Sequence, residues 1–220
     1  VHFGTLMDLC HVKHSELSQK DRRYKGRVIF RGDQVRDEDG YFAMFSEQGT
    51  SASHLAASNF LDAIGRFPGN GEEDSDAIGA YTQVALDRVA ELLGDKTPSN
   101  YAETWISLPR NRRPASWDKI KDPVCRLRLN LYGHPLAGLL WEKFCEQVLL
   151  QEGFERVVGW ECLYVHHAQK LFLSVYVDDF RMAGLAQNFG PMWARLGKNL
   201  DLEQAVKSSG NVYLAYKQYE

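Results

Sequence analysis

Apolar residues recur at helical spacing in several stretches of the chain. Leu55, Phe60 and Ile64 fall on one stripe, a recurrence that is typical of an amphipathic helix. Ser51 precedes this stripe as a suitable N-cap, and Gly153 follows another apolar-rich segment as a suitable helix stop. Helices are predicted over residues 50–67, 84–93, 137–151 and 191–200.

Alternation of apolar with polar or β-branched residues predicts strands elsewhere. These strands cover residues 24–31, 105–108, 124–132 and 160–166, with one more in the tail from 208 to 218. The acidic stretch before Ser75 is interpreted as a loop, and residues 75–83 as a strand that passes into a helix.

The clearest local pattern lies in residues 170–183. An apolar run rich in β-forming residues reaches Asp178 and Asp179, and it resumes with Phe180 and Met182. This pattern predicts a hairpin with the two aspartates at its turn. Because hairpin-type neighbours alternate with helices, the chain is predicted to be α+β, with a mostly antiparallel sheet and helices packed on one face.

Composition narrows the class of protein. The chain has 220 residues, of which 44% are hydrophobic and 25% charged, so disordered, collagen-like and disulfide-stapled classes are excluded. No apolar run approaches the ~20 residues of a membrane-spanning helix, so no membrane association is expected. The four cysteines form no CxxC pair, which predicts reduced thiols in a reducing compartment. The chain begins at Val1 within ordinary globular sequence, and we expect it to be part of a longer protein.

Charge is segregated along the chain although the net charge is only −3. The first basic segment, residues 1–36, holds eight Lys or Arg against four acids, and the second basic segment, residues 105–128, holds seven against two. Residues 72–95 reverse the sign, with seven acids against Arg88. Two basic segments and one acidic segment are compatible with a nucleic-acid groove that surrounds a metal site, but charge alone favours three solvated faces.

Three aspartates are the candidate ligands of a metal ion. Asp178 and Asp179 are flanked by buried-looking strand, which would hold both carboxylates rigidly, as Mg2+ requires of its oxygen ligands. Asp76 is the candidate for a third carboxylate at a strand end. Each also has a purely structural interpretation, as turn residues for the pair and as a helix N-cap for Asp76. Cys10, His11 and His14 suggest a zinc site less well, because no second pair lies at zinc-finger distance.

Several blocks resemble copia-type LTR retrotransposon reverse transcriptases, in the order of that family. The segments DAIGAYTQ and LFLSVYVDDFRMAG resemble polymerase motifs A and C, and YKGRVIFRGD resembles the family's K-x-R-L-V-x-R-G block. PVCRLRLNLYGHPLAGLLWEKF resembles the family's block that contains L-Y-G-L-K-Q-A-P-R. GFERV followed by CLYVHHAQK resembles the family's G-F-x-x-s-x-x-D-x-C-L-F stretch. The resemblance spans about residues 22–185.

The resemblance implies an RNA-directed DNA polymerase that uses two Mg2+ ions, with Mn2+ as a substitute. Asp76, Asp178 and Asp179 would be the catalytic, metal-binding carboxylates, and the main-chain carbonyl of Ala77 would complete the shell of one ion. Tyr81 would lie under the sugar of the incoming dNTP and reject a 2'-hydroxyl. Arg27 and, less directly, Lys25 would grip the triphosphate. Without the resemblance, Tyr81 is a core aromatic and the two basic residues lie on a solvated strand face.

The resemblance also implies an organisation into fingers and palm. Fingers elements are expected at about residues 1–72 and 104–123, and the palm at about 73–103 and 124–220. No thumb or RNase H block is recognised, and these regions and the integrase are expected elsewhere in the same polyprotein. Implied partners are an RNA or DNA template with its primer and dNTP. The implied location is cytoplasmic, in a virus-like particle, or nuclear.

The sequence departs from the family at Leu136 and Leu139, which replace a Gln and an Arg. The alternative is therefore a catalytically decayed or domesticated copy that binds nucleic acid without turnover. A metal-dependent nuclease that uses the same acids is a second alternative, which the aromatic at Tyr81 and the hairpin disfavour.

Overall fold

The computed structural model describes residues 1–13, 18–43, 55–94, 102–208, 212–213 and 216–217. The strands are β1 (His2–Lys13), β2 (Arg23–Phe30), β3 (Asn70–Asp76), β4 (Thr104–Ser107), β5 (Cys125–Arg126), β6 (Glu155–Arg156), β7 (Leu163–His166), β8 (Leu171–Tyr176), β9 (Asp179–Leu185), β10 (Val206–Lys207), β11 (Val212–Tyr213) and β12 (Tyr216–Lys217). The helices are α1 (Leu55–Gly65), α2 (Val89–Leu93), α3 (Ala137–Gln151) and α4 (Phe189–Leu196).

The chain forms two compact units, and each is built from two separate stretches. The first unit consists of Val1–Gln48 and Val84–Ala137, and the second unit consists of Gly49–Gln83 and Gly138–Glu220. The predicted division into fingers and palm stays a prediction. In the described part of the chain, no helix has both the length and the apolar character needed to cross a membrane.

The first unit is organised around a sheet with the strand order β2-β1-β4-β5. β1 pairs antiparallel with β2 and parallel with β4, where His2 lies opposite Thr104. Phe30, Val35 and Ile106 form its buried apolar cluster. The parallel pair joins positions about a hundred residues apart, so this sheet depends on long-range contacts.

The second unit contains a six-stranded sheet with the order β10-β3-β9-β8-β7-β6, in which every neighbouring pair is antiparallel. Helix α1 packs on one face, where the rings of Phe60 and Phe172 lie 5.0 Å apart. Helix α3 packs on the other face, where Trp141 contacts Phe180 at 6.5 Å between ring centroids. The α+β class and the mostly antiparallel sheet are confirmed, but helices cover both faces rather than one, because both sides of β8 and β9 carry apolar residues.

Most predicted elements occur in the structure. Helix α3 coincides with its predicted bounds, and β2, β4, β7 and the β8–β9 hairpin lie within or close to theirs. Helix α1 begins at Leu55, and the predicted cap Ser51 lies outside the described residues. Of the predicted tail strand over 208–218, the described residues after Ser208 form two short strands, β11 and β12, which pair antiparallel, and the others lie outside the described residues.

Three predictions about local structure were wrong. The acidic stretch before Ser75 is strand β3, not a loop, because β9 pairs with it along its whole length. Residues 77–88 contain two short 3-10 segments instead of the predicted α-helix. Within residues 77–93, α-helical structure is restricted to α2. Strand structure within 124–132 is restricted to β5. Beyond β5 the main chain changes its hydrogen-bond partner. The Leu127 N–H still donates to the Thr104 carbonyl, whereas the Asn130 N–H donates to the Val84 carbonyl.

Candidate functional site

Strands β3 and β9 bring two of the three candidate aspartates directly opposite each other. Asp76 at the end of β3 pairs with Asp179 at the start of β9. The Ala77 N–H donates to the Asp178 carbonyl at 2.7 Å, which makes Asp76 and Asp179 a non-hydrogen-bonded pair, with Cβ atoms about 5 Å apart. Asp178, which precedes Asp179 in the sequence, lies in the turn before β9. Asp76 and Asp179 therefore lie on adjacent antiparallel strands of one sheet.

The turn between β8 and β9 consists of Val177 and Asp178, since Tyr176 pairs with Asp179. Asp179 therefore begins the returning strand. The sequence predicted it in the turn, which was wrong. Val177 has φ of 54°, a left-handed conformation that is unusual for a β-branched residue. A positive φ at the first central residue alone is the pattern of a type II′ turn.

Burial and the neighbouring carboxylates perturb the pKa of Asp179 at this end of the sheet. The pKa of Asp179 is raised to about 6, first by burial and then by the negative charges of Asp178, Asp76 and Asp74. Like charges directly opposite each other destabilise a strand pair. Several carboxylates thus lie close together at the hairpin of the second unit. A bound cation would reduce the repulsion between them.

The donor chemistry of these residues fits a hard divalent cation. Carboxylate and main-chain oxygens are the ligands that Mg2+ and Mn2+ prefer. In the described ranges, no group of three or more His, Cys, Asp or Glu side chains is gathered closely enough to hold a metal ion as it stands. The residues therefore fit the metal by type and by strand position, and their side chains would have to close around it.

Residues 201–203, which the sequence analysis did not single out, hold the main chain of Asp76 in place. The main chain of residues 201–203 runs beside the end of β3, where Glu203 N–H donates to the Asp76 carbonyl and Ile78 N–H to the Asp201 carbonyl, each at 2.8 Å. The amide group of Gln83 exchanges hydrogen bonds with the main chain of Asp201 at 2.8 and 2.9 Å. No local pattern in the sequence indicates these contacts, because they join positions more than a hundred residues apart.

Tyr81 lies in a 3-10 segment shortly after Asp76 and is half-buried. It lines a small cavity of about 30 Å³ in the second unit together with Trp141, Val175 and Val177. The structure thus places Tyr81 beside the same hairpin that carries Asp178 and Asp179. Its role in sugar selection stays a prediction.

Arg27 and Lys25 belong to β2 in the first unit. The exposed Arg27 places its guanidinium over the ring of Tyr132 at 5.3 Å, and Lys25 lies opposite His11 in the sheet. Their assignment to the triphosphate stays a prediction, as does the zinc alternative, since His14 lies outside the described residues.

The two departures from the copia-type pattern differ in burial. Leu136 is 1% exposed, so its side chain is part of the core of the first unit and presents no polar group at a surface. Leu139 is half-buried on α3.

A buried ionic cluster, which we call the Arg181 cluster, lies between α1, β3 and β9. Arg181 is fully buried, and its guanidinium contacts Asp74 and Asp62 at 3.0 Å each. Glu72 is the third acid of the cluster, and its pKa is raised to about 7, first by burial and then by the charge of Asp62. Sequence reasoning missed this cluster, because Arg181 falls in a motif where apolar neighbours suggest an ordinary strand.

Comparison with known proteins does not assign the chain to a family. A scan against protein-family models finds no match, and a search of curated proteins finds none either.

Proposed function

We propose that this chain is the palm and fingers region of an RNA-directed DNA polymerase, which joins a dNTP to a primer 3'-hydroxyl. The observation that carries the proposal is the meeting of Asp76 with Asp179, and of Asp178 beside them, at one end of an antiparallel sheet. These residues are about a hundred positions apart in the sequence. The order of the surrounding motifs, which resembles that of copia-type reverse transcriptases, supports the same assignment.

The three carboxylates have the chemistry that nucleotidyl transfer requires. Asp76, Asp178 and Asp179 would hold the divalent cations, with the main-chain carbonyl of Ala77. When bound, such cations lower the pKa of the primer hydroxyl and neutralise charge on the triphosphate. The hairpin keeps Asp178 and Asp179 in place, and the paired strand β3 keeps Asp76 in register with them. Tyr81 would exclude a 2'-hydroxyl from the sugar position.

The second candidate function is a decayed or domesticated copy that binds nucleic acid without turnover. The burial of Leu136 favours it, since a core leucine replaces a polar residue of the family's template-contacting block. This candidate predicts binding of primer–template without extension.

Primer extension by the folded chain tests the proposal. The purified protein is incubated with a DNA-primed RNA template, dNTP, and Mg2+ or Mn2+. We expect extension by the unaltered chain and a loss of about 100-fold or more in Asp76→Asn and Asp178→Asn, because each removes a charged ligand from the transition state. Glu155→Gln is the matched control, since it removes an exposed acid from β6 of the same sheet.

The outcomes separate the two candidates. Extension that the aspartate variants lose and Glu155→Gln keeps supports the polymerase. Binding of primer–template without extension, by a protein whose circular dichroism shows it to be folded, supports the non-catalytic candidate. Extension that survives Asp178→Asn would refute the assignment of the carboxylates.

A further inference from the structure

The hairpin that carries Asp178 and Asp179 contains an unfavourable backbone conformation. Val177 precedes the two aspartates with φ of 54°, where glycine is favoured and a β-branched side chain is strained. A strained residue persists only where its surroundings hold it. The structure must therefore contain a group that keeps this turn from relaxing.

The indole of Trp141, from helix α3, contacts this turn. Its Nε1–H donates to the main-chain carbonyl of Val177 at 2.5 Å. Trp141 is 2% exposed, so the donor is held in the core of the second unit, while the acceptor lies on the partly exposed Val177. A carbonyl that is held in place fixes the peptide plane between Val177 and Asp178, and with it the direction in which the turn continues.

The same indole also contacts the chain on the other side of the aspartates. The ring of Phe180 lies 6.5 Å from that of Trp141 in an edge-to-face arrangement. On its own helix Trp141 packs against Phe144, with 6.1 Å between ring centroids. Trp141 thus contacts the residue before Asp178 and the residue after Asp179, and it connects both to a long helix.

We propose that Trp141 is a positioning residue for Asp178 and Asp179. Its indole N–H holds Val177 in the left-handed conformation, and the turn then directs both carboxylates toward Asp76. Without the N–H, the peptide after Val177 would rotate toward a conformation that valine prefers, and the two carboxylates would move with it. This proposal rests on the polymerase function for its effect on catalysis, but its effect on the turn is independent of that function.

Trp141→Phe tests the proposal, because it removes the N–H and keeps an aromatic ring. Trp193→Phe is the matched control: Trp193 on α4 also donates its Nε1–H, to Glu73 at 2.9 Å, away from the hairpin. Both variants lose one indole hydrogen bond and part of one ring, so a general loss of packing affects both.

The first measurement is amide hydrogen exchange at Asp178 and Asp179 in the metal-free protein. We expect exchange to accelerate about 10-fold or more in Trp141→Phe, the change that follows the loss of one hydrogen bond. Trp193→Phe should leave exchange at these two amides unchanged. The second measurement is primer extension, in which Trp141→Phe should lower kcat about 10- to 100-fold, as loss of a residue that orients a ligand does. KM for dNTP should be unchanged.

A rescue variant separates positioning from simple packing. In Trp141→Phe/Val177→Gly, glycine adopts the positive φ without strain, so slow exchange at the turn and part of kcat should return. If the double variant exchanges as fast as Trp141→Phe, or if Trp141→Phe leaves exchange at the turn unchanged, the proposal is wrong. If the unaltered chain does not extend a primer but the exchange results are as expected, the polymerase function fails and the positioning of the turn stands.

Discussion

Glu72 gives the stability of the second unit a predictable dependence on pH. Its carboxyl lies on β3 within the Arg181 cluster, where Oε2 is buried and has no hydrogen-bond partner among the described residues. Burial, followed by the charge and hydrogen bond of Asp62, raises its pKa from 4.5 to about 7. The folded protein therefore holds a proton on Glu72 at pH values where the unfolded chain has released it.

The direction and the size of the effect follow from this pKa. A carboxyl whose pKa is raised on folding contributes most to stability below its ordinary value of 4.5, and that contribution is lost as the pH rises to about 7 and above. The full difference corresponds to about 3 kcal/mol. Because Glu72 is only half-buried, solvent screening reduces the expected loss to about 1–2 kcal/mol.

Glu72→Gln tests this reasoning, because glutamine resembles the protonated carboxyl and cannot ionise. Urea unfolding of both proteins is followed by circular dichroism from about pH 5 to about pH 8. We expect nearly equal free energies of unfolding at the acidic end and a variant more stable by about 1–2 kcal/mol at the alkaline end. Glu73→Gln, on the other face of the same strand, is the control for loss of one negative charge. Parallel curves for Glu72→Gln, or the same gain in both variants, would refute the role assigned to burial of Glu72.

Three further predictions concern the ion cluster, the sugar and the nucleic acid. Arg181→Met should lower the free energy of unfolding by about 3–5 kcal/mol, since it leaves Asp74 and Asp62 without their buried partner; a thermal or urea unfolding curve close to that of the unaltered chain would contradict this. Tyr81→Val should raise the ratio of rNTP to dNTP incorporation and leave metal binding intact, whereas an unchanged ratio with a lower Tm would return Tyr81 to a purely structural role. Binding of a primer–template, measured by fluorescence anisotropy, should weaken at least about 10-fold between about 50 and about 200 mM salt if the two basic segments contact phosphates, and insensitivity to salt would exclude that contact.

Elements whose pattern is local were predictable from the sequence. Helix α3 was predicted with its observed bounds, because its apolar spacing continues up to Gly153, whose φ of 91° suits the end of a helix. The β8–β9 hairpin was predicted because β-forming residues continue on both sides of the aspartates. The position of the turn was wrong by one residue, since valine gives no sign in the sequence that it adopts a positive φ.

Elements that depend on distant partners were not predictable. β3 is rich in acids, which are uncommon in strands, and its acids are stabilised by Arg181 and Trp193 from more than a hundred residues away. β1 was missed because most of its side chains are exposed, so that it lacks a continuous apolar face. In the candidate site, the motifs identified the aspartates and Tyr81, but the anchor provided by Trp141 depends on a tertiary contact that no motif encodes.

The two discontinuous units impose an order on the synthesis of this protein. The first unit has all of its residues once position 137 has left the ribosome, whereas the stretch Gly49–Gln83 must wait for the later stretch that completes the second unit. Asp76 and Asp179 are separated by about a hundred residues, which a ribosome adds in about 5–20 s. During this interval β3 exposes its acids without the strand that pairs with them. The carboxylate site therefore forms only after β9 has been synthesised, and a nascent chain with a complete first unit still lacks the chemistry of the second.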